Sequence, residues 1–265
     1  MKLEIKTLLK EARCVQKSRK HSTKRCPDQF VGILKYNSQK NFEWIKKVMT
    51  KNQIGCERIN ITKEYEQEND KAIVMVLESP HLDEYNNKLP KGPAFGVTGK
   101  NINKWFENIL NDALENEVFE SSLLNLNCNY DFIIVNAVQY QTSLGVDTKI
   151  YRDACFLWFW EKEKVRNEFK NRIKILIKKY GKDNIILVNC CTKGYHIDLV
   201  TGVSGKIDAD YLDELDCRLN SVGETTLKRY VSDEITQFEL IQYYATHPAS
   251  WYSKNNRKWG IRRNM

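Results

Sequence analysis

Short apolar runs, each closed by a polar residue, punctuate this chain. Ala72-Ile73-Val74-Met75-Val76-Leu77 is β-branched, too short for a helix, and ends at Glu78-Ser79-Pro80. Phe132-Ile133-Ile134-Val135 ends at Asn136, and Asn184-Ile185-Ile186-Leu187-Val188 is a third run. Ile241-Gln242-Tyr243-Tyr244-Ala245 is a fourth, ending at Thr246-His247-Pro248. Continuous runs of this kind predict strands buried on both faces, as in parallel sheets.

Helical spacing fills the intervals. Ile102, Trp105, Phe106, Ile109 and Leu110 predict a helix over 101–114. Residues 153–180 predict a long helix, within which Trp158, Phe159 and Trp160 read as packing residues. Residues 208–220 and 224–235 have broken helical character. Phe42, Trp44, Ile45, Val48 and Met49 suggest a short amphipathic helix. Strands alternating with helices predict an α/β fold, a three-layer α/β/α sandwich around a central, mostly parallel four-stranded sheet. Ligands of such sheets bind outside the carboxyl ends of the strands. Glu78, Asn136 and His247 fall at those ends.

Charge changes the picture at the termini. The 265 residues include 42 Lys and Arg against 34 Asp and Glu, a net charge of +8. Residues 1–30 carry +6 and residues 251–265 carry +5, leaving 31–250 mildly acidic at −3. Basic ends on a near-neutral body suggest a polyanionic partner. The chain divides into a basic, partly helical extension over 1–60 and an α/β domain over 61–265. No apolar stretch approaches the length of a membrane span, so no membrane partner is expected. Met1-Lys2-Leu3-Glu4-Ile5-Lys6 lacks an apolar signal core, so a cytoplasmic, reducing location is expected. The eight Cys contain no Cys-x-x-Cys pair and read as reduced, mostly buried thiols; no metal site is expected.

Three strand-end segments remain to be explained together: Leu77-Glu78-Ser79-Pro80-His81 followed by Gly92-Pro93-Ala94-Phe95-Gly96-Val97-Thr98-Gly99, then Val135-Asn136-Ala137-Val138, then Thr246-His247-Pro248-Ala249-Ser250. In order and spacing they resemble the motifs of the uracil-DNA glycosylase superfamily, over about residues 70–252. The 92–99 run is most similar to the branch known as family 4, whose first motif carries a Glu where Glu78 stands. The resemblance implies a DNA glycosylase that flips a base out of DNA, hydrolyses its N-glycosidic bond and leaves an abasic site. Leu77 stands where the family usually has Gly, and Ser79 where other branches place a catalytic Asp or Asn. His81 replaces a small Gly or a Tyr. Family 4 holds an iron–sulfur cluster through four Cys, one of which falls where this chain has Gln139-Tyr140, so no cofactor is expected.

The chemistry fits these residue types. A carboxylate near the sugar stabilises an oxocarbenium-like cation and orients a water, a role for Glu78, with Asp83 and Glu84 as other acids of the loop. A donor near the leaving base stabilises its developing charge, a role for His247. Ser79 completes the catalytic candidates. Asn136 presents a donor and an acceptor to a base edge. Phe95, Ala94, His81 and Tyr140 are candidates for the rest of the base pocket. Ser250, Trp251 and Tyr252 follow the His loop, where relatives insert a wedge into the gap left by the flipped nucleotide. Lys254, Arg257 and Lys258 are candidate phosphate contacts. The expected partner is DNA, single- or double-stranded, and the expected state is a monomer. Ala94, Ser79 and Leu77 tilt the expected substrate toward a bulky modified pyrimidine, such as a phage hypermodified base, over uracil. A non-catalytic DNA-binding module and a nucleoside or nucleotide hydrolase are the competing readings.

Overall fold

The computed structural model describes residues 24–47, 69–86, 89–142, 155–156, 159–160, 162–192, 227–251 and 260–263. Among the described residues, nine strands and three α-helices follow in order: β1 (Gln29–Tyr36), β2 (Phe42–Lys47), β3 (Lys71–Leu77), β4 (Tyr85–Asn86), β5 (Leu89–Pro90), α1 (Val97–Glu115), β6 (Cys128–Asn136), α2 (Glu163–Tyr180), β7 (Ile185–Asn189), α3 (Leu227–Thr236), β8 (Gln242–Tyr244) and β9 (Arg262–Arg263). Seven of the strands form one mixed sheet in the order β2-β1-β6-β3-β7-β8-β9, and β4 and β5 form a small ribbon. β3 runs parallel to both β6 and β7, and β7 parallel to β8. The sheet is therefore wider than the four strands expected, with antiparallel strands added at both edges.

The two added strands β1 and β2 come from the expected N-terminal extension. Residues 29–36 and 42–47 are strands, and β1 lies against β6. The helix expected around Phe42 is the strand β2. Its residues alternate between buried Phe42, exposed Glu43, half-buried Trp44 and exposed Ile45. A tight turn sets this period. Asn37 Oδ1 accepts hydrogen bonds from the backbone N–H groups of Gln39 and Asn41, each at 3.1 Å, and Lys40 adopts φ 59°. The free edge of β2 is covered rather than open. Asn111 on α1 accepts from Phe42 N–H at 2.7 Å and donates to Phe42 C=O at 3.0 Å. Covering an edge in this way satisfies groups that would otherwise invite pairing with another chain. Gly32 permits the irregular pairing here, since a Cβ would collide with Lys46 C=O and the Trp44 ring.

Side chains alternate between the faces of the sheet. Ile73, Met75 and Leu77 join Phe132 and Ile134 on one face, where Ile102, Trp105, Phe106, Ile109 and Leu110 of α1 cover them. Ala72, Val74 and Val76 join Ile133 and Val135 on the other face, under Phe169, Ile173 and Leu176 of α2 and Val231 and Ile235 of α3. The helix expected over 153–180 begins as α2 at Glu163, after short helical pieces that include buried Phe156 and Trp160. The chain leaves β3 by α1 on one face and leaves β7 by α3 on the other. Adjacent strands whose connections diverge in this way open a crevice at their carboxyl ends. In this sheet that switch point lies between β3 and β7. No helix among the described residues is long and apolar enough to cross a membrane.

Candidate functional site

The strand ladder sets the level of the site. Leu77 pairs with Asn136, Val76 with Asn189, and Asn189 with Tyr244. Pairing continues into the first loop residues, where Val138 N–H donates to Glu78 C=O at 2.9 Å and Ala137 N–H to Leu77 C=O at 2.7 Å. The backbone of Glu78 is thereby fixed as an extension of β3.

The Glu78 side chain is buried, with 3% of its residue surface exposed. Its Oε2 accepts from Thr192 N–H at 3.2 Å, directly after β7. The same oxygen lies 3.6 Å from Nε2 of His247, which follows β8. Nδ1 of His247 accepts from Ala249 N–H at 3.2 Å. An imidazole that accepts at Nδ1 carries its neutral-state proton on Nε2, so an N–H donor faces the Glu78 carboxylate. Below Glu78 sit the thiols of Cys190 and Cys191. Burial, with a smaller contribution from the charge of Glu78, pushes Cys190 up to about 12, and Cys191 well above its ordinary value of 9.0. They are neutral apolar packing at physiological pH.

Asn136 ends β6 and has no exposed surface. Both Oδ1 and Nδ2 of its carboxamide are buried without a hydrogen-bond partner, as is Oγ1 of Thr192. Buried polar groups are nearly always paired, and an orphan costs roughly 1–3 kcal/mol. The amide thus holds its donor and acceptor in reserve at the strand end. Its backbone, by contrast, is tied on both sides. Asn136 N–H donates to Asp28 Oδ1 at 3.3 Å, and Arg172 donates to Asn136 C=O and Ala137 C=O, each at 3.0 Å.

The loop after β3 is built by short-range capping. His81 Nδ1 accepts from Asp83 N–H at 3.3 Å and lies 3.4 Å from Asp83 Oδ2, so this imidazole caps its own turn. Asp83 is half exposed, whereas Glu84 is buried and accepts from Ala94 N–H at 2.8 Å. Glu84 is not the solvated loop charge its sequence context suggests; it holds the 92–96 turn. Ala94 takes φ 59° and packs its methyl into the cluster under α1, so what it offers a ligand is backbone, not a pocket wall. Gly92 takes φ 128° against the side chain of Gln29, a conformation in which any Cβ would be strained. Phe95 is the half-buried aromatic of the loop, with Lys91 Nζ 5.9 Å from its ring centroid. Ser79 shares a short hydroxyl contact with Thr142, linking the loop after β3 to the one after β6.

One expected role is overturned, and a second expected residue is engaged within the protein. Trp251 is fully buried. Its ring stacks on Phe106 with centroids 6.2 Å apart and planes 8° apart, and Nε1 donates to Thr246 C=O at 3.1 Å. A wedge must project to reach DNA; this indole instead anchors the His247 turn to α1. Tyr140 is likewise engaged within the protein. Its ring stacks on Phe159 at 4.9 Å and 6°, and its hydroxyl accepts from Arg25 Nε at 2.9 Å. Ser250 is exposed, but its Oγ donates to His247 C=O at 2.7 Å, closing the turn. Asn101 at the start of α1 donates to Pro248 C=O at 2.8 Å and holds the same turn from the other side. Tyr252, Lys254, Arg257 and Lys258 lie outside the described residues.

Sequence reasoning missed Asp28, Arg172 and Thr192. Arg172 did carry a signal, since it interrupts the apolar stripe Val165, Phe169, Ile173, Leu176 of α2. Among the described residues, no group of three or more His, Cys, Asp or Glu converges as a metal site. A cleft of about 500 Å³ lies apart from the strand-end residues, along the edge formed by α3, β8 and β9, lined by Arg229, Ser232, Gln242, Tyr244 and Arg263. Comparison with protein-family models, with curated proteins and with solved structures finds no match to the chain.

Proposed function

We propose that this protein is a DNA glycosylase that takes a base out of the stack, hydrolyses its N-glycosidic bond and leaves an abasic site. The observation that carries the reading is one crevice with three complementary groups. A buried carboxylate, a histidine with Nε2 directed at it, and an unpartnered carboxamide stand at the carboxyl ends of β3, β8 and β6. In this reading Glu78 stabilises the developing sugar cation and receives the proton of the attacking water, whose oxygen bonds to C1′. The bond from C1′ to the base breaks, and its electron pair leaves with the base. His247 Nε2–H donates to that leaving group, and Asn136 reads its edge. Thr192 holds Glu78 in place through its N–H. The strand-end motifs carry no lysine placed for Schiff-base chemistry, so the enzyme is monofunctional, with hydrolysis as the cleavage step.

The wider reading follows from the same site. The fold is a three-layer sandwich of the uracil-DNA glycosylase kind, extended at both sheet edges. The basic ends of the chain hold the phosphates of DNA, and the protein works as a cytoplasmic monomer without a cofactor. The departures at Leu77, Ser79 and Ala94 favour a modified pyrimidine over uracil, a role in defence against foreign DNA. The test is incubation with single- and double-stranded oligonucleotides carrying uracil or modified pyrimidines, followed by alkaline cleavage. Alkali-labile breaks at one class of base support the proposal. Retained binding without breaks on every substrate would replace it with a DNA-binding module. Release of base from free nucleosides alone would replace it with a nucleoside hydrolase.

A further inference from the structure

The segment leading into β1 contacts the loops after β3 and β6. Cys26 N–H donates to Gln139 C=O at 2.8 Å, Lys24 C=O accepts from Tyr85 Oη at 3.2 Å, and Gln29 packs on Gly92. At its centre is Asp28, 3% exposed, whose two carboxylate oxygens each lie 2.6 Å from Nη1 of Arg172. Gln139 Nε2 donates to Asp28 Oδ1 at 3.3 Å. Arg172 comes from the middle of α2, and its remaining bonds go to the carbonyls of Asn136 and Ala137.

A buried ion pair is a poor device for stability. Its desolvation cost rivals its attraction, and an apolar replacement often serves as well. Burial does raise the Asp28 carboxyl, against the lowering effect of Arg172. What this pair has that an apolar pair lacks is direction. The carboxylate fixes the N–H of Asn136, and the guanidinium fixes its C=O and that of the next residue. The two groups thus grip both polar atoms of one peptide unit's residue, the residue whose side chain is left unpartnered.

We infer that Asp28 and Arg172 are positioning residues that aim the Asn136 carboxamide into the crevice, so that base recognition depends on a segment and a helix that do not touch the base. The inference rests on the proposed role of Asn136. A misplacement of about 1 Å can cost on the order of 100-fold in rate even when it originates away from the chemistry.

The test has two arms, both on the full chain. Arg172→Lys keeps the charge opposite Asp28 but cannot fork to two carbonyls; Asp28→Asn is the companion variant should the first not fold. In the first arm, hydrogen exchange is followed by mass spectrometry. Arg172→Lys should speed exchange over residues 134–139 and leave β7 unchanged; unchanged exchange over 134–139 overturns the inference. In the second arm, kcat/KM for excision is measured in a double-mutant cycle with Asn136→Ala. Arg172→Lys should cost roughly tenfold or more with Asn136 present and less than about twofold without it. Equal costs in both backgrounds mean a merely structural pair and overturn the inference. If the wild type excises no base from any DNA, the functional proposal fails, and the exchange arm alone decides whether the pair positions Asn136.

Discussion

Nε2 of His247 stands 3.6 Å from Oε2 of Glu78, although 169 positions separate them in the chain. Two neighbouring connections bring them together, the loops leaving β3 and β8 on either side of β7. Each is fixed by a backbone N–H, Thr192 for Glu78 and Ala249 for His247. Glu78→Gln keeps an acceptor for Thr192 N–H and should fold as the wild type does. It should lower excision by roughly 100-fold or more, as should His247→Ala. Single-turnover rates on the preferred oligonucleotide, with thermal unfolding as the control, check this. Full activity in both variants would remove both assignments.

Asn136 offers the opposite balance between stability and function. Its carboxamide makes no hydrogen bond within the protein, so its removal loses none. Asn136→Ala should leave unfolding stability within about 1 kcal/mol of the wild type, since relief of the orphan amide offsets the small cavity. The same variant should lose base recognition. Chemical denaturation beside excision rates separates the two effects; a loss of more than about 2 kcal/mol would mean that the amide is structurally bound after all.

Trp251 should behave as a core residue. Trp251→Ala removes a ring with no exposed surface and breaks the stack on Phe106, at a cost of roughly 3–5 kcal/mol. Its effect on single- and double-stranded substrates should be alike, measured at a temperature where the variant is folded. A selective loss on duplex with little loss of stability would restore the wedge role.

The buried thiols predict an alkaline limit to stability. Burial raises Cys155 to about 11 and Cys190 to about 12. The unfolded chain ionises these groups near 9.0, and the folded chain holds them neutral. A raised pKa means that the folded state keeps its proton longer. The contribution of these thiols is therefore constant below about pH 8 and falls as pH rises from about 9 through 11–12. Thermal unfolding scanned from pH 7 to 11 checks the slope, which should flatten in Cys155→Ala. Thiol-labelling reagents at pH 8 should leave Cys155, Cys190 and Cys191 unmodified in the folded protein.

The centre of the sheet was legible in the sequence and its edges were not. β3, β6 and β7 carry continuous apolar runs because helices cover both faces, and such runs have few other readings. β2 is short, amphipathic and aromatic, and its strand character comes from the Asn37 turn and from Asn111 on α1, neither of which periodicity reports. β9 is only two residues long and exists through its pairing with β8. Within the site, Glu78, Asn136 and His247 stood out because each is polar where an apolar run stops. Thr192 and Asp28 did not, since their significance lies in contacts across 114 and 144 positions. Trp251 was misassigned because an aromatic after a loop reads the same whether it turns outward or, as here, into α1.

The central claim is that the crevice between β3 and β7 releases a base from DNA. Mass spectrometry of small molecules freed from a panel of unmodified, uracil-containing and hypermodified DNA tests it directly, with the wild type and Glu78→Gln side by side. The account predicts a free base from one class of DNA with the wild type and none with Glu78→Gln. A free base in equal amounts from both proteins, or no base from any DNA with a folded wild type, would contradict it.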